Sequence, residues 1–142
     1  MSWLPRETVV VPIDFSDESF AAISTAAELA ADPSHLDLVH VLPRLEPADP
    51  GVIWHTIDDE SRSRHAAQAL RDELARRGCP AGRIVIRFGD PGHEIAAYAE
   101  EVSAGLIVVS SHGRSGLERL LIGSVAERVV RLAHCPVLVL RR

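Results

Sequence analysis

The sequence predicts a single α/β domain: a doubly wound, five-stranded parallel sheet with helices on both faces. The main observation is alternation, because five short apolar runs are separated by segments of helical periodicity in the order β-α-β-α-β-α-β-α-β. Such alternation produces right-handed crossovers between parallel strands. Composition agrees, since 46% of the 142 residues are hydrophobic and only 4% are aromatic. Aliphatic side chains must therefore fill the core, and a chain of this length can bury one.

The predicted strands are recognised by runs of Val, Ile and Leu. The first, fourth and fifth runs are continuously apolar, which predicts strands covered on both faces. The third run alternates arginine with aliphatic residues, which predicts a strand at the edge of the sheet. The five predicted strands are residues 8–13, 36–42, 83–88, 106–110 and 136–140.

Four predicted helices fill the gaps, and three of them begin with a recognisable cap. Ser16 precedes two acidic residues, as an N-cap does, and Asp90-Pro91 supplies an N-cap followed by a proline at the first helical position. Ser124-Val125-Ala126-Glu127 matches a capping box with Ser124 as the N-cap. The predicted helices span residues 17–31, about 58–77, 91 to about 102, and 124 to about 133.

Charge and residue usage exclude several function classes. The net charge of −5 opposes a nucleic-acid partner. All 15 basic residues are arginine, so a P-loop, a Schiff-base lysine and a protein-kinase lysine are excluded. There is no signal-peptide pattern and no apolar run approaching the ~18 residues of a membrane span. We therefore expect a cytoplasmic protein with no membrane partner.

The cysteines and histidines do not suggest a metal site. Cys79 and Cys135 are isolated, which is typical of partly buried thiols in a reducing compartment. The seven histidines occur without H-E-x-x-H or paired Cys/His spacing.

Two predicted strands end in residues suited to a binding site. The first ends in Pro12-Ile13-Asp14, and because a proline cannot donate within a central ladder, the strand should leave the sheet there. The fourth ends in a Ser/Gly loop, and Gly123-Ser124 follows at the start of a helix. Helix N-termini bind phosphates, and ligands bind open parallel sheets where the strand order reverses. If the first and fourth strands are neighbours, Asp14 faces the loop across one crevice.

The loop and the helix start resemble a known motif. Ser110-Ser111-His112-Gly113, nine further residues and Gly123-Ser124 are similar to G-x-x-G-(nine residues)-G-[S/T], the ATP-binding motif of the universal stress protein family. The segment Val11-Pro12-Ile13-Asp14-Phe15-Ser16, the Gly89-Asp90-Pro91 turn and the closing Pro136-Val137-Leu138-Val139 also resemble that family. The resemblance covers essentially the whole chain.

The resemblance implies strand order 3-2-1-4-5 and ATP, with Mg²⁺ or Mn²⁺, between strands 1 and 4. It places Asp14 at the ribose and Val41 at the adenine, partly through its backbone. It places the phosphates at Gly113, Gly123, Ser124 and the Val125 amide. The nucleotide-binding residues that we predict are Pro12, Ile13, Asp14, Val41, Val109, Ser110, His112, Gly113, Arg114, Gly116, Gly123, Ser124 and Val125.

The resemblance also implies a homodimer through strand 136–140. The sequence points the same way, because an apolar edge strand with nothing after it to cover it tends to pair with another strand. In the expected dimer this strand meets its symmetry mate in antiparallel orientation.

One motif position differs from the family pattern, since Ser110 stands where the first glycine is expected. If the position needs φ > 0, serine costs about 1–2 kcal/mol, and if it needs only a small residue, serine is tolerated. Several candidates also have ordinary structural explanations: Ser124 as a helix cap, Gly113 and Gly116 as turn glycines, Asp14 as a cap of the first helix, and His112 as a loop histidine.

No catalytic set is recognised. Gly113-Arg114-Ser115-Gly116 is one residue short of a nucleophile elbow, and His112-Gly113 lacks the second histidine of an H-x-G-H transferase. We predict a stress-response protein in which ATP controls regulation or partner binding, with at most slow hydrolysis. The alternative is an ATP-independent, homodimeric interaction module of the same fold.

Overall fold

The computed structural model describes residues 3–46, 48, 58–80, 82–112 and 122–141. Its five strands form one parallel sheet in the order β3-β2-β1-β4-β5. The strands are β1 (Val9–Pro12), β2 (Leu36–Leu42), β3 (Arg83–Phe88), β4 (Leu106–Ser110) and β5 (Val137–Leu140). The predicted fold class and strand order are confirmed, and the third strand lies at an edge as expected.

Four helices connect the strands: α1 (Asp17–Leu29), α2 (Asp59–Arg77), α3 (Pro91–Glu101) and α4 (Ser124–Leu132). The Ser16 side chain caps α1, and Asp58 and Asp90 cap α2 and α3 in the same way. Each cap oxygen accepts a hydrogen bond from a backbone N–H of the first turn, which has no acceptor within the helix. A short 3₁₀ turn, Pro33–His35, precedes β2.

The predicted capping box of α4 is wrong. The N-cap is Gly123, which has an extended backbone (φ −74°, ψ 163°), and Ser124 is already the first helical residue. No side-chain hydrogen bond caps this helix among the described residues. The reason is that the Gly123 N–H donates to the carbonyl oxygen of Ser111, which fixes Gly123 as the residue that enters the helix.

Helix α1 ends two residues earlier than predicted. The Arg6 N–H donates to the Leu29 carbonyl oxygen, and the Ala31 N–H donates to the Arg6 carbonyl oxygen. These bonds form a parallel bridge between Arg6 and Ala30. They hold the chain extended from Ala30 onward, so the helix cannot continue towards Pro33.

Alternate residues of the central strands bury both faces of the sheet. On one face Val9, Val11, Leu36 and Leu38 pack with residues of α1 and α2, and on the other face Val10, Val39, Ile107 and Val109 pack with residues of α3 and α4. The expected coverage of both faces of the fifth strand is wrong, because β5 is an edge strand and Leu138 is 36% exposed. None of the described helices is long and apolar enough to cross a membrane.

Candidate functional site

A cavity of about 320 Å³ opens beyond the carboxyl ends of β1, β2 and β4. The starts of α3 and α4 form its other wall, through Pro91 and Ile95 of α3 and residues 123–126 at the start of α4. Nine of the thirteen predicted site residues line this cavity: Pro12, Ile13, Asp14, Val41, Val109, Ser110, Gly123, Ser124 and Val125.

Among the described residues, His112 is the predicted site residue that does not line this cavity. His112 instead lines a second cavity of about 290 Å³ beside α1, and its Nδ1 atom lies 3.0 Å from the Ser111 hydroxyl. Gly113, Arg114 and Gly116 lie outside the described residues.

The crevice opens because β1 and β4 separate. They are neighbours, as the predicted crevice requires, but only Val9 and Val10 of β1 are paired with β4. Pro12 then ends the strand, and Ile13 makes one last hydrogen bond to β2. This is the point at which the strand order reverses and where open parallel sheets bind ligands.

Asp14 follows directly at the rim of the cavity. Its Oδ1 atom accepts hydrogen bonds from the Ser16 backbone N–H, at 2.9 Å, and from the Ser16 hydroxyl. Asp14 is therefore not the cap of α1 that its structural explanation predicted; Ser16 is the cap, and Asp14 holds Ser16 in place while it also lines the cavity. The two roles are compatible.

Phe15 adopts a left-handed backbone conformation (φ 66°), which is rare for a bulky residue. Its ring meets His40 edge to face at 4.9 Å and Phe20 at 5.9 Å. Surrounding contacts must hold such a conformation, because it costs of order 1–3 kcal/mol. The turn after β1 is therefore built to fix the residues on either side of Phe15.

The strained alternative for Ser110 does not apply. Ser110 is the last residue of β4, and the described non-glycine residues with positive φ are Phe15 and Ser103. The Ser110 hydroxyl donates to the His112 carbonyl oxygen at 3.1 Å. Serine is thus accommodated at this position, and it stabilises the start of the loop.

The first turn of α4 borders the cavity through residues 123–126. Gly123 must be small, because an added Cβ atom would lie 2.9 Å from the Ser111 carbonyl oxygen. The Gly123 N–H is already bonded to that oxygen, at 2.5 Å. The N–H groups that remain for a ligand are those of Ser124, Val125 and Ala126, because the first bond within the helix is donated by Glu127 to the Gly123 carbonyl oxygen.

An ion pair holds the two helix starts together. Arg128 of α4 pairs with Asp90, the N-cap of α3. The His93 backbone N–H and the Arg128 guanidinium lower the pKa of the Asp90 carboxyl. Gly92 allows this approach, since a Cβ atom there would lie 2.6 Å from the Arg128 Cβ atom. Sequence reasoning missed this pair, because the two residues are 38 positions apart.

Sequence reasoning also missed seven residues of the cavity wall: Ser19, Val39, His40, Pro91, Ile95, Ser111 and Ala126. Three of them, His40, Ser111 and Ala126, adjoin predicted site residues in the chain, so neighbouring positions were an available signal for these three. Within the described residues, no group of three His, Cys, Asp or Glu side chains is placed to hold a metal ion.

Residues 5–141 match the sequence model of the family described as the universal stress protein family. A universal stress protein of Methanocaldococcus jannaschii is 36% identical over 141 residues, which covers 94% of this chain and 81% of the relative. The Bacillus subtilis universal stress protein YxiE is 34% identical over 146 residues, which covers 94% of this chain and 97% of the relative.

Solved structures of the same family superimpose on this chain. The universal stress protein UspA of Lactobacillus plantarum has a TM-score of 0.73 and 30% identity, covering 95% of this chain and 97% of its own. A universal stress protein in complex with cAMP has a TM-score of 0.66 and 26% identity, covering 96% and 97%. The universal stress protein of Archaeoglobus fulgidus in complex with dAMP has a TM-score of 0.55 and 25% identity, covering 96% and 98%.

Proposed function

The chain belongs to the universal stress protein family, and we propose that it binds ATP with Mg²⁺ or Mn²⁺ in the crevice between β1 and β4. The observation that carries the proposal is the start of α4, which faces the crevice without a side-chain cap among the described residues. The positive end of a helix dipole and its unpaired N–H groups attract phosphate. Ser124 and Val125 would supply those groups, together with the Ser124 hydroxyl.

The ligands of relatives support an adenine nucleotide. cAMP and dAMP, the molecules in two of the similar structures, share the adenine base and a phosphate. Both complexes are with proteins of this family that cover nearly the whole chain. The more specific proposal, that the nucleotide is ATP, follows from the similarity of the loop and helix start to the ATP-binding motif.

The remaining predicted residues would bind the base and the sugar. Asp14 lies at the rim of the cavity, where its carboxylate can accept a hydrogen bond from a ribose hydroxyl. Val41 lies at the end of β2 on the same cavity and would contact the adenine. Pro12, Ile13 and Val109 add apolar wall, as ligand pockets usually have.

A divalent cation would be held mainly by the nucleotide. Mg²⁺ commonly keeps several waters and is bound through substrate phosphates with few protein ligands. This arrangement suits the crevice, because the described residues contain no cluster of three candidate ligands. When bound, the cation would neutralise phosphate charge beside the start of α4.

We further propose that the nucleotide acts as a regulatory ligand in the cytoplasm and that the protein is a homodimer through strand 136–140. Ser111 gives the two sites a physical link: its carbonyl oxygen accepts from Gly123, and its N–H donates to the Leu140 carbonyl oxygen at 2.8 Å. A change at the start of α4 would therefore reach the end of β5. The universal stress proteins are a stress-response family by name, which supports that setting.

Calorimetric titration of the purified protein with ATP and Mg²⁺ tests the proposal. We expect saturable binding in the micromolar range, competition by AMP, and weaker binding when Mg²⁺ is omitted. Absence of saturable binding below millimolar ATP would reject the proposed function.

One observation favours the alternative, an ATP-independent homodimeric module. The Gly123 N–H, one of the groups expected at the phosphates, is already bonded to Ser111. The start of α4 would then be a structural turn that supports β5. Chromatographic analysis of nucleotide released from the denatured protein separates the two functions, since only the first predicts copurifying adenine nucleotide.

A further inference from the structure

The backbone of β2 offers its hydrogen-bonding groups alternately to its two neighbours. The Val39 carbonyl oxygen accepts from Ile13, on the β1 side, at 2.8 Å, and the Leu42 carbonyl oxygen accepts from Gly89, on the β3 side, at 2.9 Å. In a parallel ladder the N–H and C=O of one residue point to the same neighbour, and successive residues alternate. Val41 therefore points its N–H and C=O towards β1, as Val39 does.

The ladder between β1 and β2 stops one bond before it reaches Val41. The register ends at the pair Pro12 and Val39. The next bond of a continuing ladder would join the Val41 N–H to the Ile13 carbonyl oxygen. In the structure that oxygen lies 2.7 Å from the Nδ1 atom of His40. A carbonyl oxygen can only accept, so Nδ1 carries the proton and takes the place of the Val41 N–H.

The His40 ring is held in that position by its neighbours. The ring is half-buried, and Phe15 packs against it edge to face with the ring centroids 4.9 Å apart. Phe15 has a left-handed backbone, and the turn after β1 thereby positions its ring against the imidazole. This packing fixes the imidazole that donates the hydrogen bond to Ile13.

These observations give Val41 an N–H donor and a C=O acceptor that face a cavity also lined by Ile13 and His40. Adenine presents the complementary pair on its Watson–Crick edge, N1 as an acceptor and the N6 amino group as a donor. Guanine presents the reverse pair, O6 as an acceptor and N1–H as a donor. In the same pose guanine would place acceptor against acceptor and donor against donor.

We propose that His40 is a positioning residue: by occupying the Ile13 carbonyl oxygen, it keeps the Val41 N–H available to the base and sets a preference for adenine over guanine nucleotides. The inference rests on the proposed function, since it concerns the same site. In this proposal Val41 contacts the base, and His40 keeps the Val41 N–H from bonding to Ile13. Without the imidazole, Val41 and Ile13 would bond to each other and close the edge that reads the base.

Three variants test this proposal. His40→Leu and His40→Ala both remove the donor. Leucine fills most of the volume beside Phe15, whereas alanine leaves it empty. His40→Asn keeps a donor, because its amide nitrogen is the same number of bonds from the backbone as Nδ1. The measurements are the exchange rate of the Val41 amide in the nucleotide-free protein, by NMR, and the affinities for ATP and GTP with Mg²⁺.

In the variants without the donor we expect the Val41 amide to exchange about tenfold more slowly, because it acquires the Ile13 acceptor. We expect their ATP-to-GTP affinity ratio to fall about tenfold, the effect of losing one specific hydrogen bond to the base. His40→Asn should keep both properties of the wild type. A purely structural role for His40 would weaken ATP and GTP equally.

The inference and the proposed function fail in different ways. An unchanged ATP-to-GTP ratio in His40→Leu and His40→Ala, with saturable ATP binding by the wild type, overturns the inference alone. An unchanged Val41 exchange rate in those variants also overturns it, because the hydrogen-bond substitution would then not occur. Absence of nucleotide binding by the wild type overturns both.

Discussion

The Gly123 N–H donates a hydrogen bond of 2.5 Å to the carbonyl oxygen of Ser111. This bond joins the start of α4 to the residue that follows β4. Ser111 is 1% exposed, and its own N–H continues the connection to Leu140 at the end of β5. The wall of the crevice and the edge of the sheet are therefore one hydrogen-bonded unit.

Replacing Gly123 by alanine should destabilise the fold. The Gly123 backbone has an ordinary negative φ, but the new Cβ atom would lie 2.9 Å from the Ser111 carbonyl oxygen. Backbone atoms on both sides must move, which costs about 1–3 kcal/mol of the free energy of unfolding. Urea denaturation of the wild type and Gly123→Ala measures this difference.

Gly78 provides the control, because a glycine is favoured there by the backbone conformation and not by lack of space. It caps α2 with φ 65°, and an added Cβ atom would meet nothing within 4 Å. Asparagine tolerates this conformation, so Gly78→Asn should recover most of the ~1 kcal/mol lost in Gly78→Ala. Gly123→Asn should recover nothing, and recovery there would contradict the steric explanation.

Replacing Ser124 by proline should weaken ATP binding about tenfold without unfolding α4. Proline is accepted at the first helical position, and the extended Gly123 before it is compatible with a following proline. The substitution removes one backbone N–H, and a hydrogen bond to a charged group contributes about 1.5–3 kcal/mol. Calorimetric titration with ATP and Mg²⁺ measures the loss.

Ser124→Ala is the matched control, since it removes the hydroxyl and keeps the N–H. If the backbone N–H binds the phosphates, Ser124→Ala retains most of the affinity that Ser124→Pro loses. Equal affinities of Ser124→Pro and the wild type would mean that this amide does not contact the nucleotide.

The sequence predicted the strands and the crevice well because they depend on local patterns. Apolar runs bounded by turn residues gave β2, β3 and β4 their observed bounds, and Pro12 marked the end of β1 as expected. The predicted end of α1 was wrong because the bonds between Arg6 and the residues around Ala30 join segments about 24 positions apart. No local pattern contains that information.

The details of the site depend on similar long-range contacts. The capping box of α4 was wrong because Ser111, twelve residues before Gly123, fixes the N-cap. His40 was overlooked because its role depends on the Ile13 carbonyl oxygen, 27 positions away. Residue types at strand ends therefore located the crevice, whereas the hydrogen bonds that define its walls required the three-dimensional structure.

Tyr98 should make the stability fall at alkaline pH. Its hydroxyl donates to the buried Asp37 carboxylate at 2.6 Å, and burial together with this bond raises the pKa of Tyr98 to about 12. The folded state thus favours the protonated tyrosine. This contribution is fully present below the ordinary pKa of about 10 and is lost as the pH rises from about 10 to 12.

Tyr98→Phe tests this assignment. The variant should be about 1–3 kcal/mol less stable at neutral pH, because Asp37 loses a buried hydrogen bond, and its stability should fall less steeply above pH 10. The chain has one tyrosine, so tyrosinate absorbance reports Tyr98 alone. Parallel pH profiles of the two proteins would contradict the prediction.

The open edge of β5 gives the last prediction, which concerns the proposed homodimer. The Pro136 carbonyl oxygen accepts from Ile107 of β4 at 3.0 Å, and the Leu140 carbonyl oxygen accepts at 2.8 Å from Ser111, which follows β4. The even-numbered residues of β5 therefore face β4. Val137 and Val139 therefore point their N–H groups away from the sheet. A proline at Val139 removes an outward N–H and leaves the bonds to β4 in place.

We expect sedimentation velocity at micromolar concentration to show a dimer for the wild type and a monomer for Val139→Pro. Val139→Ala is the control, because it loses similar side-chain packing against the face of the sheet that α3 and α4 cover, and it keeps the N–H. It should remain a dimer. Strand pairing requires that N–H, whereas a dimer formed through side chains of α4 does not. A dimeric Val139→Pro would therefore exclude β5 as the interface, and a monomeric wild type would exclude the homodimer itself.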